Sequence, residues 1–536
     1  MKAGLATNAA IVAGSGSSLT EMSATELAHL IRSGHVSARE VVDAHIARIE
    51  AVDDKLNAVV IRLFDAARAE ADEADRRRAQ GAELGPLHGV PVTIKEQFRV
   101  AGTVTSCGFT DYIHNVCEDE GPLVRSLRQA GAIILGKTNV MQALGGWECD
   151  NPVYGRANNP WDLARTPGGS SGGEAAIVAA AGSPFGLASD LGGSIRFPAY
   201  FCGVHGFKPT AGRFTNEDTP AGIFGLGQEA ILPQPGPIAR RVEDLSLMLA
   251  VLSTAESKYD VTPPLPWNDP AKVDVSRLRI GYFTDNGYFS ASPSIRRAVE
   301  EAAAALNALG ADVVQMRAPD TEEGMRLFVG IFSADGSAGL KRSLHDDSPV
   351  ASLRGTVQGA SIPNSLRPTV SAVMARRSQR YRPALIRYAG ARSTEEYWKL
   401  VEARTIYRGR FLGELADNGI DAVLSPPFGV PAPLHDSTEH LLPAGSYGLI
   451  WSVLGMPVGV VSTTRVRRGE ESDRSPSGDI TDMTALQVEQ HSRGLPVGVQ
   501  VAARHWHDEI VLAVMAALEE RFRRLESYPT APAAVA

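Results

Sequence analysis

The chain has 536 residues, 44% of them hydrophobic, enough to bury a large core. Its 53 Lys and Arg against 61 Asp and Glu give a dispersed net charge of −8 with no basic stripe, which excludes a nucleic-acid partner. Four cysteines, Cys107, Cys117, Cys149 and Cys202, form no CxxC pair and have no histidine at ligand spacing; this predicts reduced thiols in a cytoplasmic protein.

In chain order, residues 1–20 hold one Lys and a short Ala-rich patch. That is too little apolar sequence for a signal peptide, so a disordered tail is expected. No apolar run approaches the roughly 18 residues that span a bilayer, so no integral membrane segment is expected. Ser23-Ala24-Thr25-Glu26 is a capping box that opens a helix with Leu27, Leu30 and Ile31 on one face and Gly34 at its end. Ser37 and Glu40 repeat the box before Val42, Ile46 and Ile49. His29 and His45 lie in these helices as surface or packing histidines. Residues 89–94 read as an apolar strand that ends at Lys95. Taken alone, Lys95 reads as a snorkelling surface lysine.

Residues 121–130 read as a helix and 132–135 as a strand. Gly131-Ala132-Ile133-Ile134-Leu135-Gly136-Lys137-Thr138 matches the phosphate-loop pattern. The pattern is rejected, because such a loop must expose its N–H groups after the strand has ended, and here the residues between the glycines are the strand. Asp244 opens a helix with Leu245, Met248, Leu249 and Leu252 on one face. Residues 278–283 are a strand. Pro293 sits in the first turn of a helix that stops at Gly310. Strands follow at 312–315 and 421–425, and 321–418 is a mostly helical insertion beside the site. Residues 445–461 and 494–501 complete the core, with a polar, mobile loop at 465–484 between them. Residues 508–522 are the closing helix and 526–536 a C-terminal tail. Helices alternating with short apolar strands predict an α/β fold: one large domain, 21–525, with a central mixed β-sheet covered by helices on both faces.

Residues 167–213 carry the chemistry. Gly168-Gly169-Ser170-Ser171-Gly172-Gly173 and Gly192-Gly193-Ser194 flank a small, uncharged segment. Each cluster alone reads as a flexible turn. Together they do not read as a linker, because the segment between them is apolar and Asp190 and Arg196 bracket Ser194 with opposite charges. Glycine lets backbone N–H groups crowd against a ligand, and a serine beside such donors suits acyl transfer. Gly168-Gly169-Ser170-Ser171-Gly172 also fits the nucleophile elbow of an α/β-hydrolase. That reading fails because loop, not strand, precedes it, and His205 has no acidic partner in view.

The stretch resembles the signature of the amidase signature family. The resemblance rests on Gly168 through Gly173, on Asp190-Leu191-Gly192-Gly193-Ser194-Ile195-Arg196-Phe197-Pro198, and on Gly206-Phe207-Lys208-Pro209-Thr210. The 24-residue spacing of Ser170 and Ser194 and the upstream Lys95 complete it. It implies an amidase with Ser194 as nucleophile and Ser170 as a relay on a cis peptide bond. Lys95 is then a base kept neutral by burial, and an acyl-enzyme forms. It implies an oxyanion hole from the N–H groups of Leu191, Gly192, Gly193 and Ser194, supported by Ser171, Asp190 and Arg196, with no cofactor and no metal. Within the family the chain looks most like the fatty acid amide hydrolase branch, which implies that Leu144, Gly145, Gly146 and Trp147 lie along the substrate. With Ile223, Phe224 and Leu226, Leu144 motivates uncharged, apolar acyl or aryl amides. The competing readings are the glutaminase component of a tRNA-dependent amidotransferase, a urethane- or ester-cleaving relative, and a non-catalytic relative, which should have lost one of Lys95, Ser170 and Ser194. The partners expected are a small-molecule amide and, at most, a second copy in a homodimer.

Overall fold

The computed structural model describes residues 18–219, 227–257, 262–263 and 265–535. Among them run strands β1 (Val59–Arg62), β2 (Pro91–Lys95), β3 (Ile133–Thr138), β4 (Phe185–Asp190), β5 (His205–Lys208) and β6 (Gln234–Ala239), then β7 (Arg279–Tyr282), β8 (Asp312–Gln315), β9 (Ala422–Ser425), β10 (Val458–Arg465) and β11 (Pro496–Ala503). They hydrogen-bond into one 11-stranded sheet, ordered β1-β3-β2-β4-β6-β5-β10-β11-β9-β7-β8. β2 is parallel to β3 and β4, and β7 to β8 and β9. The remaining neighbours are antiparallel, so the sheet is mixed. Every residue of β11 is buried, and so is every residue of β10 but Arg465. Successive strand residues point to opposite faces, so both faces of the sheet are covered.

The capping boxes start helices α1 (Ala24–Ser33) and α2 (Ala38–Leu56), with Ser23 and Ser37 each accepting from the backbone three residues on. α3 (Gly172–Ala179) starts within the first serine cluster and α4 (Arg196–Cys202) two residues after Ser194. α5 (Val242–Leu252) begins two residues before Asp244. The Asp244 carboxylate instead accepts the N–H groups of Ala24 and Thr25 at 2.9 and 3.0 Å, capping α1 across 220 residues of sequence. His45 is buried in α2 and bonds the Val41 carbonyl, a packing role.

The insertion is built from α6 (Thr321–Phe332), α7 (Ala351–Ala360), α8 (Thr394–Asp417) and shorter helices. α9 (Ser446–Leu454) then packs on α6. Of the stretch 465–484, expected as a loop, 466–479 has no regular secondary structure. β10 runs to Arg465, and α10 (Ile480–Glu489) is capped by Asp479. Between them Arg474 pairs with the buried Glu489 at 2.9 Å. A wholly buried Glu489 needs such a partner, and the pair anchors the polar stretch at Arg474. α11 (Asp508–Phe522) lies across β10, where a side chain on Gly459 would collide with Met515.

β6 escaped sequence reading because Pro235 and Pro237 disguise it. It still pairs with β4 along six residues. The expected C-terminal tail also packs: Tyr528 and Val535 are buried, and Arg48 and Lys55 donate to the carbonyls of Val535 and Ala534. Of the expected N-terminal tail, residues 1–17 lie outside the described residues, and 19–20 are part of a 3₁₀ turn. Among the described residues no helix is long and apolar enough to cross a membrane.

Candidate active site

β2 and β4 are neighbours and parallel, so their C-terminal ends open at the same rim. Ligands in open α/β sheets gather at that rim. β2 delivers Lys95 there and β4 delivers Ser189 and Asp190. The two serine clusters close over the pair from the starts of α3 and α4.

Lys95 is fully buried. Its Nζ donates to Ser170 Oγ at 2.8 Å and to Ser189 Oγ at 2.9 Å. The Gly169–Ser170 peptide is cis. A side chain on Gly169 would strike the Glu148 carbonyl, so only glycine brings the backbone this close. Ser171 N–H donates to the Ser194 carbonyl at 3.3 Å, which ties one cluster to the other. Among the described residues the Ser194 hydroxyl has no hydrogen-bond partner, so the step from Ser170 to Ser194 is open in this structure.

Asp190 organises the second cluster. It takes Arg196 in a two-point pair at 2.9 and 3.0 Å and accepts from the N–H of Gly193 at 2.7 Å and of Ile195 at 3.1 Å. Gly193 sits at φ 106°, and a Cβ there would lie 2.2 Å from the Phe197 ring. The N–H of Gly193, expected in the oxyanion hole, is committed to Asp190. The N–H groups of Leu191, Gly192 and Ser194 make no hydrogen bond among the described residues.

Burial lowers the Lys95 ammonium to about 7, against the nearby acidic groups Cys107, Asp190, Cys149 and Glu174. Burial would raise Asp190, but Arg196 and the Gly193 N–H outweigh it and hold the carboxyl at about 2. Glu174, in α3, is pushed up to about 7 by burial and accepts from Thr138 Oγ1 at 2.9 Å. Lys137 continues β3 and is buried against Thr105 and Val104, so no phosphate loop exists there.

Trp147 is wedged between Phe197 and Phe428, with ring centroids 5.0 and 5.6 Å away, and its indole N–H donates to the Gly192 carbonyl at 2.9 Å. The Gly192–Gly193 peptide is thus pinned from both sides, its carbonyl by Trp147 and its N–H by Asp190. Leu144 packs with Phe109, Leu340 and Leu344. Gly145 faces Leu353 and Gly146 faces Met141. Phe328 of the insertion and Leu449 of α9 stand over Gly192. Ile223, Phe224 and Leu226 lie outside the described residues. Sequence reasoning missed Ser189 and Gln97. Both flank residues it chose, at the ends of β4 and β2, and the shared rim of two parallel strands is the signal that finds them.

A family model described as Amidase matches residues 40–512. The chain belongs to the amidase signature family. Amidase signature proteins of this kind are amide-cleaving hydrolases, and so is this chain. It is 32% identical to fatty-acid amide hydrolase 1 of Sus scrofa, over 92% of this chain and 84% of that protein. It is also 31% identical to the acetamidase of Emericella nidulans, over 92% of this chain and 88% of that one. A glutamyl-tRNA(Gln) amidotransferase component of Moorella thermoacetica is 32% identical, over 93% of this chain and 96% of its own length. A solved fatty acid amide hydrolase superposes with a TM-score of 0.82 at 27% identity, over 94% of this chain and 85% of that chain.

Proposed function

We propose that this amidase cleaves the C–N bond of carboxamides with an apolar acyl or aryl group, using Ser194, Ser170 and Lys95. The observation that carries the reading is the buried Lys95 bonded to Ser170 at 2.8 Å, with the hydroxyl of Ser194 and three nearby backbone N–H groups making no hydrogen bond among the described residues. Neutral Lys95 takes the proton of Ser170 as Ser170 takes that of Ser194. Ser194 Oγ then bonds the amide carbon. The developing oxyanion is met by the N–H groups of Leu191, Gly192 and Ser194, each donor typically worth about 3–4 kcal/mol. The proton returns through Ser170 to the nitrogen, the C–N bond breaks and the amine leaves. Water enters, gives a proton through Ser170 to Lys95 and attacks the acyl carbon; that proton returns through Ser170 to Ser194 Oγ as the acyl C–O bond breaks and the carboxylic acid leaves.

The apolar preference rests on Phe328, Leu449 and Leu353, which stand over Gly192 and Gly145. A pocket for a free amino acid must pair both charges, whereas an apolar wall gains about 0.8 kcal/mol per buried CH₂ of substrate. The test is the purified chain alone, assayed on p-nitroanilides of increasing acyl length and on glutamine. Rates should rise with acyl length and then level. Glutamine hydrolysis without activity on any apolar amide overturns this reading and favours the amidotransferase one. A fluorophosphonate should label Ser194, and Ser194→Ala should abolish both labelling and turnover. Labelling at Ser170 instead would reverse the two serine roles.

A further inference from the structure

Lys95 has a second partner that the mechanism leaves unused. Its Nζ reaches Ser189 Oγ at 2.9 Å, besides the Ser170 contact at 2.8 Å. Ser189 Oγ donates its own proton to Gln97 Oε1 at 2.6 Å. The Gln97 amide is oriented in turn, since its Nε2 donates to Thr219 Oγ1 at 2.7 Å. Gln97 is buried.

Counting protons gives the arrangement a direction. A hydroxyl carries one proton and accepts through its lone pairs. With that proton committed to Gln97, Ser189 can only accept from Lys95. A neutral lysine amine has two N–H groups and one lone pair. One N–H is therefore held by Ser189, and the lone pair stays available to the Ser170 proton. With Gln97 absent or its amide reversed, Ser189 is free to donate to Lys95. The lone pair that must take the Ser170 proton is then occupied.

We propose that Gln97 is a positioning residue that sets the hydrogen-bond polarity of Ser189 and so keeps the Lys95 lone pair for Ser170. This rests on the reading of Lys95 as the base. Thr219 belongs to the same device, because it accepts from the Gln97 amide nitrogen and leaves the amide carbonyl to Ser189.

The test is a double-mutant cycle on the full chain with octanoyl p-nitroanilide. Wild-type turnover and fluorophosphonate labelling of Ser194 come first, and failure of both overturns the catalytic reading itself. Given an active wild type, Gln97→Met keeps the length of the side chain and removes the acceptor. We expect kcat to fall about 10- to 100-fold with KM changed less than about threefold. Ser189→Ala should cost less than Gln97→Met. The decisive result is the double variant: removing Ser189 removes the competing donor, so it should be faster than Gln97→Met alone. A purely structural role gives losses that add instead. Additive losses, or a Gln97→Met enzyme with unchanged kcat, overturn the proposal. If Gln97→Met does not fold, Thr219→Val at its half-buried site serves in its place. It should lower kcat several-fold in the wild-type background and leave the Ser189→Ala background unchanged, and the absence of either effect overturns the proposal.

Discussion

In the proposed mechanism Lys95 is the base. Four acidic groups face it, Cys107, Asp190, Cys149 and Glu174, yet burial prevails and lowers it to about 7. Activity should therefore rise with pH along a limb of apparent pKa about 7, as Lys95 sheds its proton, and a kcat profile from pH 5 to 9 measures it. The same burial acts on stability. The unfolded chain holds this proton up to about 10.5 and the folded chain only up to about 7, so the unfolded state binds more protons between them. The destabilisation is then full below about 7 and fades as pH rises to about 10.5. Lys95→Met should abolish turnover yet be about 1–2 kcal/mol more stable than wild type near neutral pH, with the gain shrinking toward pH 10 in urea melts. Trp147, expected along the substrate, also holds the Gly192 carbonyl through its indole N–H at 2.9 Å. Trp147→Phe keeps the ring and removes the N–H, so kcat should fall about 10-fold while KM and Tm stay close to wild type.

At the scale of the element, the turn from β4 into α4 is a rigid cradle and not a flexible Gly-Gly-Ser linker. Asp190 binds Arg196 and the N–H groups that follow it, and both charges are wholly buried. Removing one member of a buried pair strands the other, so Asp190→Asn should cost about 3–5 kcal/mol in chemical denaturation. The folded carboxyl sits at about 2 against an unfolded 3.8, so its contribution is present above about 3.8 and is lost as pH falls through about 2. Gly193→Ala meets two obstacles, the Phe197 ring and the φ of 106°. Phe197→Leu clears the ring but not the backbone, so it should not restore activity to Gly193→Ala, measured as kcat at saturating amide.

Over the whole molecule, distant segments converge on one rim. The insertion places Phe328 over Gly192 and Leu353 beside Gly145, more than 100 residues beyond the glycines they face. Phe328→Ala should shift the preferred acyl length upward by about two or three carbons, at about 0.8 kcal/mol per added CH₂ buried, without changing the rate of fluorophosphonate labelling at Ser194. The other end of the chain serves stability. Residues 526–535 pack back, with Tyr528 and Val535 buried and Arg48 and Lys55 bonded to the last carbonyls. Deleting residues 526–536 should lower Tm by several degrees, where a free tail would leave it unchanged.

Local chemistry was legible in the chain itself. The capping boxes at Ser23 and Ser37, the strand ending at Lys95 and the closing helix of residues 508–522 stand where the pattern puts them, because caps and periodicity act over a few residues. The serine clusters and Lys95 were legible as a set because their spacing matches a family signature. What needed the folded chain was everything decided by pairing across distance. Asp244 reads as the start of its own helix and caps another. The polar loop within residues 465–484 reveals its anchor only when the buried Glu489 is seen paired with Arg474. Pro235 and Pro237 conceal a strand that β4 and β5 impose. Ser189 and Gln97 acquire a role only when two parallel strands bring their ends together around one buried amine. A hydrogen bond or a buried charge is a relation between residues that the fold makes neighbours, and no local propensity records it.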